Sequence, residues 1–138
     1  MSDITGQCLC GAVRYRVAHA EPGFGACHCR MCQRWSGGPF FATSAVGVVF
    51  EGEGDLVRYP SSAWAERGFC GKCGTNIYYR ALRSTSYEMC VGTFDDAGQF
   101  VLTSEIFIDR KPDGYSFAGD HPRLTEAETI EKYKDYTG

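Results

Sequence analysis

Alternation of apolar and polar residues with a period of two is the main signal along the chain. In Ala12-Val13-Arg14-Tyr15-Arg16-Val17 the residues Val13, Tyr15 and Val17 share one face and both arginines the other, as in a half-buried strand. Glu21-Pro22-Gly23 supplies a turn after it. Phe40 to Phe50 reads as an apolar, β-rich stretch broken by small residues, and Asp55 to Tyr59 as a short strand ended by Pro60. Asn76 to Arg80, Ser86 to Val91 and Ser104 to Asp109 predict further strands, with Ile106 and Ile108 on one face of the last. Helical signals are confined to the tail and to a short turn after Cys29. In the tail, Thr125 and Glu128 have capping-box spacing, and Ile130 and Tyr133 fall on one side. The pattern predicts a mainly β chain of antiparallel strands with a short C-terminal helix.

Composition narrows the class. A chain of 138 residues fits one domain spanning residues 1–138, and area scaling lets it bury about two thirds of its unfolded surface. With 43 % hydrophobic and 22 % charged residues it is not disordered. The net charge of −3 argues against a module that grips nucleic acid through phosphate contacts. Met1 to Tyr15 shows neither a basic start nor an apolar run of secretory type, and no apolar stretch suggests a membrane span. A cytoplasmic location is therefore expected, where thiols stay reduced. There the 8 cysteines read as metal ligands before disulfides.

The cysteines fall into four groups: Cys8-Leu9-Cys10, Cys27-His28-Cys29-Arg30-Met31-Cys32, Cys70-Gly71-Lys72-Cys73-Gly74 and the lone Cys90. Cys70-x-x-Cys73-Gly74 has the form of a zinc knuckle, in which Gly74 accepts the positive φ needed to leave the turn. A knuckle gives two of the four ligands that structural zinc takes. Cys8 and Cys10 can supply the others, read here as positions i and i+2 of a strand. Buried pairs of free cysteines are the competing reading. Cys27, Cys29 and Cys32 are three thiolates within six residues, enough for one zinc with a fourth position left open, as in catalytic sites. His19, His28 or Cys90 could close it into a Cys₃His or Cys₄ site. The plainer readings are a core residue for Cys90 and a packing or supporting residue for His28.

Taken together, these motifs resemble the glutathione-dependent formaldehyde-activating enzyme (Gfa) family. The resemblance rests on Gly6-x-Cys8-x-Cys10-Gly11-x-Val13, Cys27-His28-Cys29-x-x-Cys32, Ser36-Gly37, Phe69-Cys70-x-x-Cys73-Gly74-Thr75, Gly92-Thr93-Phe94-Asp95-Asp96 and Ile106-Phe107-Ile108-Asp109. It implies an Mss4-like fold of packed antiparallel sheets and two zinc ions per chain. One would be structural on Cys8, Cys10, Cys70 and Cys73, the other catalytic on Cys27, Cys29 and Cys32. It also implies a carbon–sulfur lyase-type reaction that condenses a thiol, glutathione or similar, with formaldehyde or another small aldehyde. Arg30, Arg34 and Arg67 are candidates for the carboxylates of such a thiol, against a plain reading as solvated surface arginines. Trp35 and Trp64 are candidates to wall a pocket, against ordinary core packing. Asp95-Asp96 reads as a hairpin turn. The alternative class is a non-catalytic, zinc-stabilised module that binds protein or nucleic acid.

Overall fold

The computed structural model describes residues 4–136. In chain order the strands are β1 (Ile4–Gln7), β2 (Arg14–Val17), β3 (His19–Ala20), β4 (Gly23–Cys27), β5 (Phe40–Val46), β6 (Val49–Glu51), β7 (Leu56–Ser62), β8 (Ala65–Cys70), β9 (Asn76–Ala81), β10 (Tyr87–Cys90) and β11 (Val101–Ile106). Helix α1 (Arg30–Ser36) lies between β4 and β5, and α2 (Glu126–Lys132) near the end of the chain. A small sheet has the order β1-β2-β6; a large one runs β11-β4-β5-β10-β9-β8-β7, with β3 also paired to β5. The mainly β architecture with a short C-terminal helix is as the sequence predicts. One pairing departs from the antiparallel rule: β11 lies parallel to β4.

The core forms where the alternating faces of the two sheets meet. Val13, Tyr15 and Val17 are buried as expected, against Ile77, Tyr78, Met89 and Phe94, while Arg14 and Arg16 face out. Each such aliphatic or aromatic side chain contributes about 1.5–3 kcal/mol of burial. Two buried tyrosine rings press against glycines. A Cβ on Gly6 would stand 2.3 Å from the Tyr15 ring, and one on Gly68 would stand 2.1 Å from the ring of Tyr78.

Several elements differ from the sequence reading, each for a physical reason. Phe40 to Phe50 is two strands in two different sheets. The chain turns at Gly47 (φ 67), where a Cβ would meet that of Ala18 at 2.7 Å. Pro60 does not end its strand. β7 is the edge of the large sheet, which tolerates a missing donor, and the pairing with β8 is irregular between Tyr59 and Ser62. β11 stops at Ile106, because Phe107 adopts φ 55 and residues 108–110 form a 3₁₀ turn, so Ile106 and Ile108 share no strand face. β1, β3, β4 and β8 are strands without a clear alternation signal. In α2 the capping box of Thr125 and Glu128 is present, but Thr129 is the buried residue, while Ile130 and Tyr133 face solvent.

Candidate metal centres

The first cluster joins the tip of the β1–β2 hairpin to the turn between β8 and β9. Cys8 and Cys10 do not lie on a strand, as the sequence suggested, but in a turn. It is closed by Gly11 N–H to the Cys8 carbonyl (3.2 Å) and left through Gly11 at φ 81. Cys70 to Gly74 forms a matching turn, with Gly74 N–H on the Cys70 carbonyl (2.8 Å) and the predicted positive φ, 79°, at Gly74. The sequence therefore contains two knuckles of the same kind, one of them shortened by a residue between its cysteines.

Four sulfurs converge there, all within 4.8 Å of one another. Cys8 Sγ to Cys10 Sγ is 3.7 Å and Cys10 Sγ to Cys70 Sγ is 3.8 Å. A tetrahedron with corners about 2.3 Å from its centre, the zinc–thiolate distance, has edges of about 3.8 Å. Disulfide sulfurs would stand about 2.0 Å apart. The spacing fits a metal and is too wide for a disulfide. Thr75 ties the two knuckles together: its oxygen accepts from Leu9 N–H (3.0 Å) and lies 3.2 Å from Cys73 Sγ. The Thr75 hydroxyl and backbone N–H groups hold the Cys73 thiol down at about 5, in the thiolate form a metal requires. Val13 N–H donates to Cys8 Sγ at 3.3 Å.

The second cluster sits where β4 runs into α1. Cys27 is the last residue of β4, paired with Phe40 of β5 and Ile106 of β11. Cys29 is the N-cap of α1, its sulfur accepting the Cys32 N–H at 3.3 Å, and Cys32 lies on the buried side of the helix. The strand end and helix start thus bring three sulfurs within 4.8 Å of one another. No further described His, Cys, Asp or Glu joins them. His19 is exposed beside Glu21 (3.4 Å). Hydrogen bonds from the Cys27 and Cys32 thiols hold Cys29 down at about 2, with the charge of Arg67 adding to them, and Cys27 is driven up in return. Cys90 lies beside the trio but outside it; burial first, then the charge of Cys32, pushes its thiol up to about 12.

Two buried polar residues adjoin the trio, His28 through the chain and Arg67 through its contact with Cys32. His28 points away from the sulfurs, as expected of a supporting residue, and its Nε2 meets Glu105 Oε1 at 2.8 Å. Glu105, 1 % exposed, also takes His121 Nε2 at 2.7 Å and Arg123 Nε at 2.9 Å on its other oxygen. Burial acts to raise the Glu105 carboxyl, but hydrogen bonds from His121, His28 and Arg123 outweigh it and hold the group below its ordinary value.

Arg67 reaches the trio from β8. It is no solvated surface arginine: it is 4 % exposed, with both terminal nitrogens 3.6 and 3.7 Å from Cys32 Sγ. Trp35 and Tyr79 both lie against its guanidinium, each ring centre 5.0 Å away. Trp35 is thus near the trio, whereas Trp64 lies in the β7–β8 turn. Arg30 and Arg34 are exposed and border a groove of about 250 Å³ between α1 and Tyr115. Alternation did not reveal Arg67 or Glu105, since each occupies an inward position of a strand where an apolar residue is the norm. A charged residue at such a position is the signal that could have found them. Asp95-Asp96 does form a turn, tied back to β1 by Thr5 Oγ1 to Asp95 Oδ2 at 2.6 Å, but it joins 3₁₀ turns rather than hairpin strands.

The fold and these sites define a mainly β protein built around two cysteine clusters that could each hold a metal ion, one of four sulfurs and one of three. Residues 3–110 match the family model described as glutathione-dependent formaldehyde-activating enzyme, and the chain belongs to that family. It is 33 % identical over 132 residues to an uncharacterised lyase of Schizosaccharomyces pombe, covering 94 % of this chain and 96 % of that one. A Halomonas elongata protein, provisionally named a glutathione-dependent formaldehyde-activating enzyme, is 29 % identical over 89 residues, 54 % of each chain. The fold is also similar to the crystal structure of a Rhodobacter sphaeroides protein. The TM-score is 0.57 at 21 % identity, over 87 % of this chain and 99 % of that one. No helix among the described residues is long and apolar enough to cross a membrane.

Proposed function

We propose that the chain is a zinc-dependent carbon–sulfur lyase-type enzyme that joins a thiol, glutathione or similar, to formaldehyde or another small aldehyde at Cys27, Cys29 and Cys32. The observation that carries this reading is the count of ligands: four sulfurs in one cluster, three in the other with no described fourth. A closed quartet suits a structural ion, and an incomplete set suits a working one. Zinc held by three thiolates would supply an open position for a soft ligand, which favours a thiol in its ionised form.

The chain's own residues would do the rest. In the reaction the thiol sulfur forms a bond to the carbonyl carbon, the C=O becomes C–OH, and the thiol proton ends on that oxygen. No redox partner is needed. Arg67 and the Cys32 N–H hold Cys32 and Cys29 in place by hydrogen bonds to sulfur. Arg30, next to Cys29, and Arg34 give the groove beside α1 two cations able to take the carboxylates of a glutathione-like thiol. Family membership and the lyase name of the yeast relative support an enzyme of this type.

The test is exchange NMR on equilibrated mixtures of formaldehyde with glutathione and with other thiols. The protein should speed interconversion of free thiol and hydroxymethyl adduct for at least one of them. An unchanged rate for every thiol would remove the proposal.

A further inference from the structure

Arg67 presents an electrostatic problem that the ligand count alone does not address. A buried guanidinium is costly unless an anion or a full set of acceptors faces it. Among the described residues no carboxylate pairs with Arg67; both of its terminal nitrogens turn to one sulfur, that of Cys32. A neutral Cys32 thiol is a weak acceptor, which leaves the Arg67 fork without an ionic partner in direct contact. The flanking rings of Trp35 and Tyr79 offer their negative faces, which fix the plane of the fork but carry no net charge. A trio of thiolates around a divalent ion carries one net negative charge, and a fourth, anionic ligand would add another.

We propose that Arg67 is the built-in counter-charge of the Cys27–Cys29–Cys32 centre, a positioning residue that makes the loaded anionic trio stable and biases its open position toward anionic thiolates over neutral ligands. This rests on the reading of the trio as a metal centre that binds thiols. Two features make it specific to Arg67. The contact is to sulfur that is itself a ligand, so the charge acts on the donor atom directly. Burial and the two neighbouring rings also leave the fork little room to swing to another partner. Arg58 and Arg80 also lie against aromatic rings, but Arg58 bonds Glu66 and Tyr78 and neither cation makes a hydrogen bond to a sulfur of either cluster.

Cadmium-113 NMR on protein loaded with two cadmium ions tests this without any turnover. The quartet and the trio give separate resonances, and the quartet's signal serves as an internal check that each variant is folded. Arg67→Met keeps the stem and removes the charge; Arg67→Lys keeps the charge and loses the fork. In Arg67→Met the trio's resonance should move while the quartet's stays. Chelator competition should show the trio's affinity falling by about tenfold or more, the size expected when a charge-assisted hydrogen bond is lost. Half-saturation by glutathione, followed on the trio's resonance, should need about tenfold more thiol, with Arg67→Lys restoring most of both losses. Unchanged trio affinity in Arg67→Met, or Arg67→Lys behaving like Arg67→Met, would overturn the proposal. If the unaltered protein answers to no thiol, the proposed reaction fails instead, and the chelator measurement alone decides the role of Arg67.

Discussion

Replacing Glu105 by glutamine tests how the segment that carries the trio is held through His28. The two side chains have nearly the same shape, so packing is kept while the charge is lost. In the structure the carboxylate accepts from His28, His121 and Arg123 at 2.7 to 2.9 Å, and it is 1 % exposed. An amide keeps one acceptor and turns an NH₂ toward a former donor, so at least one of the three bonds is lost and the others lose their ionic part. Breaking a buried charged network of this kind costs about 3 kcal/mol. For a chain of this length that corresponds to a fall of about 10 °C in Tm, read by circular dichroism at pH 7. The pH dependence has a definite sign. The Glu105 carboxyl is held below its ordinary value, so its contribution is present above about pH 4 and fades as the pH falls through the folded value. The gap between wild type and Glu105→Gln should therefore narrow in acid. Because His28 stands between Cys27 and Cys29, the variant should also lose metal from the trio more readily than from the quartet. A Tm within about 2 °C of wild type at pH 7 would refute the reasoning, since that is under 1 kcal/mol for a chain of this size.

Three further outcomes follow from the same geometry. Mass spectrometry under native conditions should find two metal ions per chain; Cys10→Ser or Cys73→Ser should leave an unfolded protein, whereas Cys29→Ser or Cys32→Ser should stay folded with one ion. Equal loss of fold at both clusters would contradict a division into structural and working sites. Gly6→Ala places a methyl group 2.3 Å from the Tyr15 ring and 2.5 Å from the Thr93 carbonyl. It should lower stability by about 2 kcal/mol in urea titration, and an unchanged midpoint would show that the Tyr15 ring and the Thr93 backbone both give way freely. Thr125→Ala removes the capping box of α2 at a cost of about 1 kcal/mol, visible as faster amide exchange at Thr129 with little change in global Tm. Unaltered exchange there would mean that packing alone holds the helix.

What the residues revealed in advance depended on how local each signal was. The Val13-Tyr15-Val17 face, the Gly74 turn, the Thr125 cap and both cysteine clusters rest on neighbours in the chain or on ligand chemistry, and all are found in the structure. Most of the failures are long-range. Nothing within Phe40 to Phe50 announces that Gly47 carries it from one sheet to the other, since the reason is Ala18. Pro60 is harmless only because β7 is at an edge, and an edge is a property of the assembled sheet. β8 escaped notice because Glu66, Arg67 and Gly68 interrupt its apolar pattern, and those residues are placed by what they meet: Arg58 and Tyr78 for Glu66, Cys32 for Arg67, the Tyr78 ring for Gly68. The parallel pairing of β11 with β4 likewise depends on a return of the chain that no local pattern encodes.

The Cys8–Cys10 and Cys70–Cys73 turns belong to different sheets and stand 60 residues apart in the chain. Closing a loop of that length costs the unfolded chain several times the thermal energy, and that cost falls before most long-range contacts repay it. An ion that captures both turns early would shorten the search at once, so the supply of metal during synthesis should govern how fast the polypeptide reaches its final topology as well as how firmly it stays there.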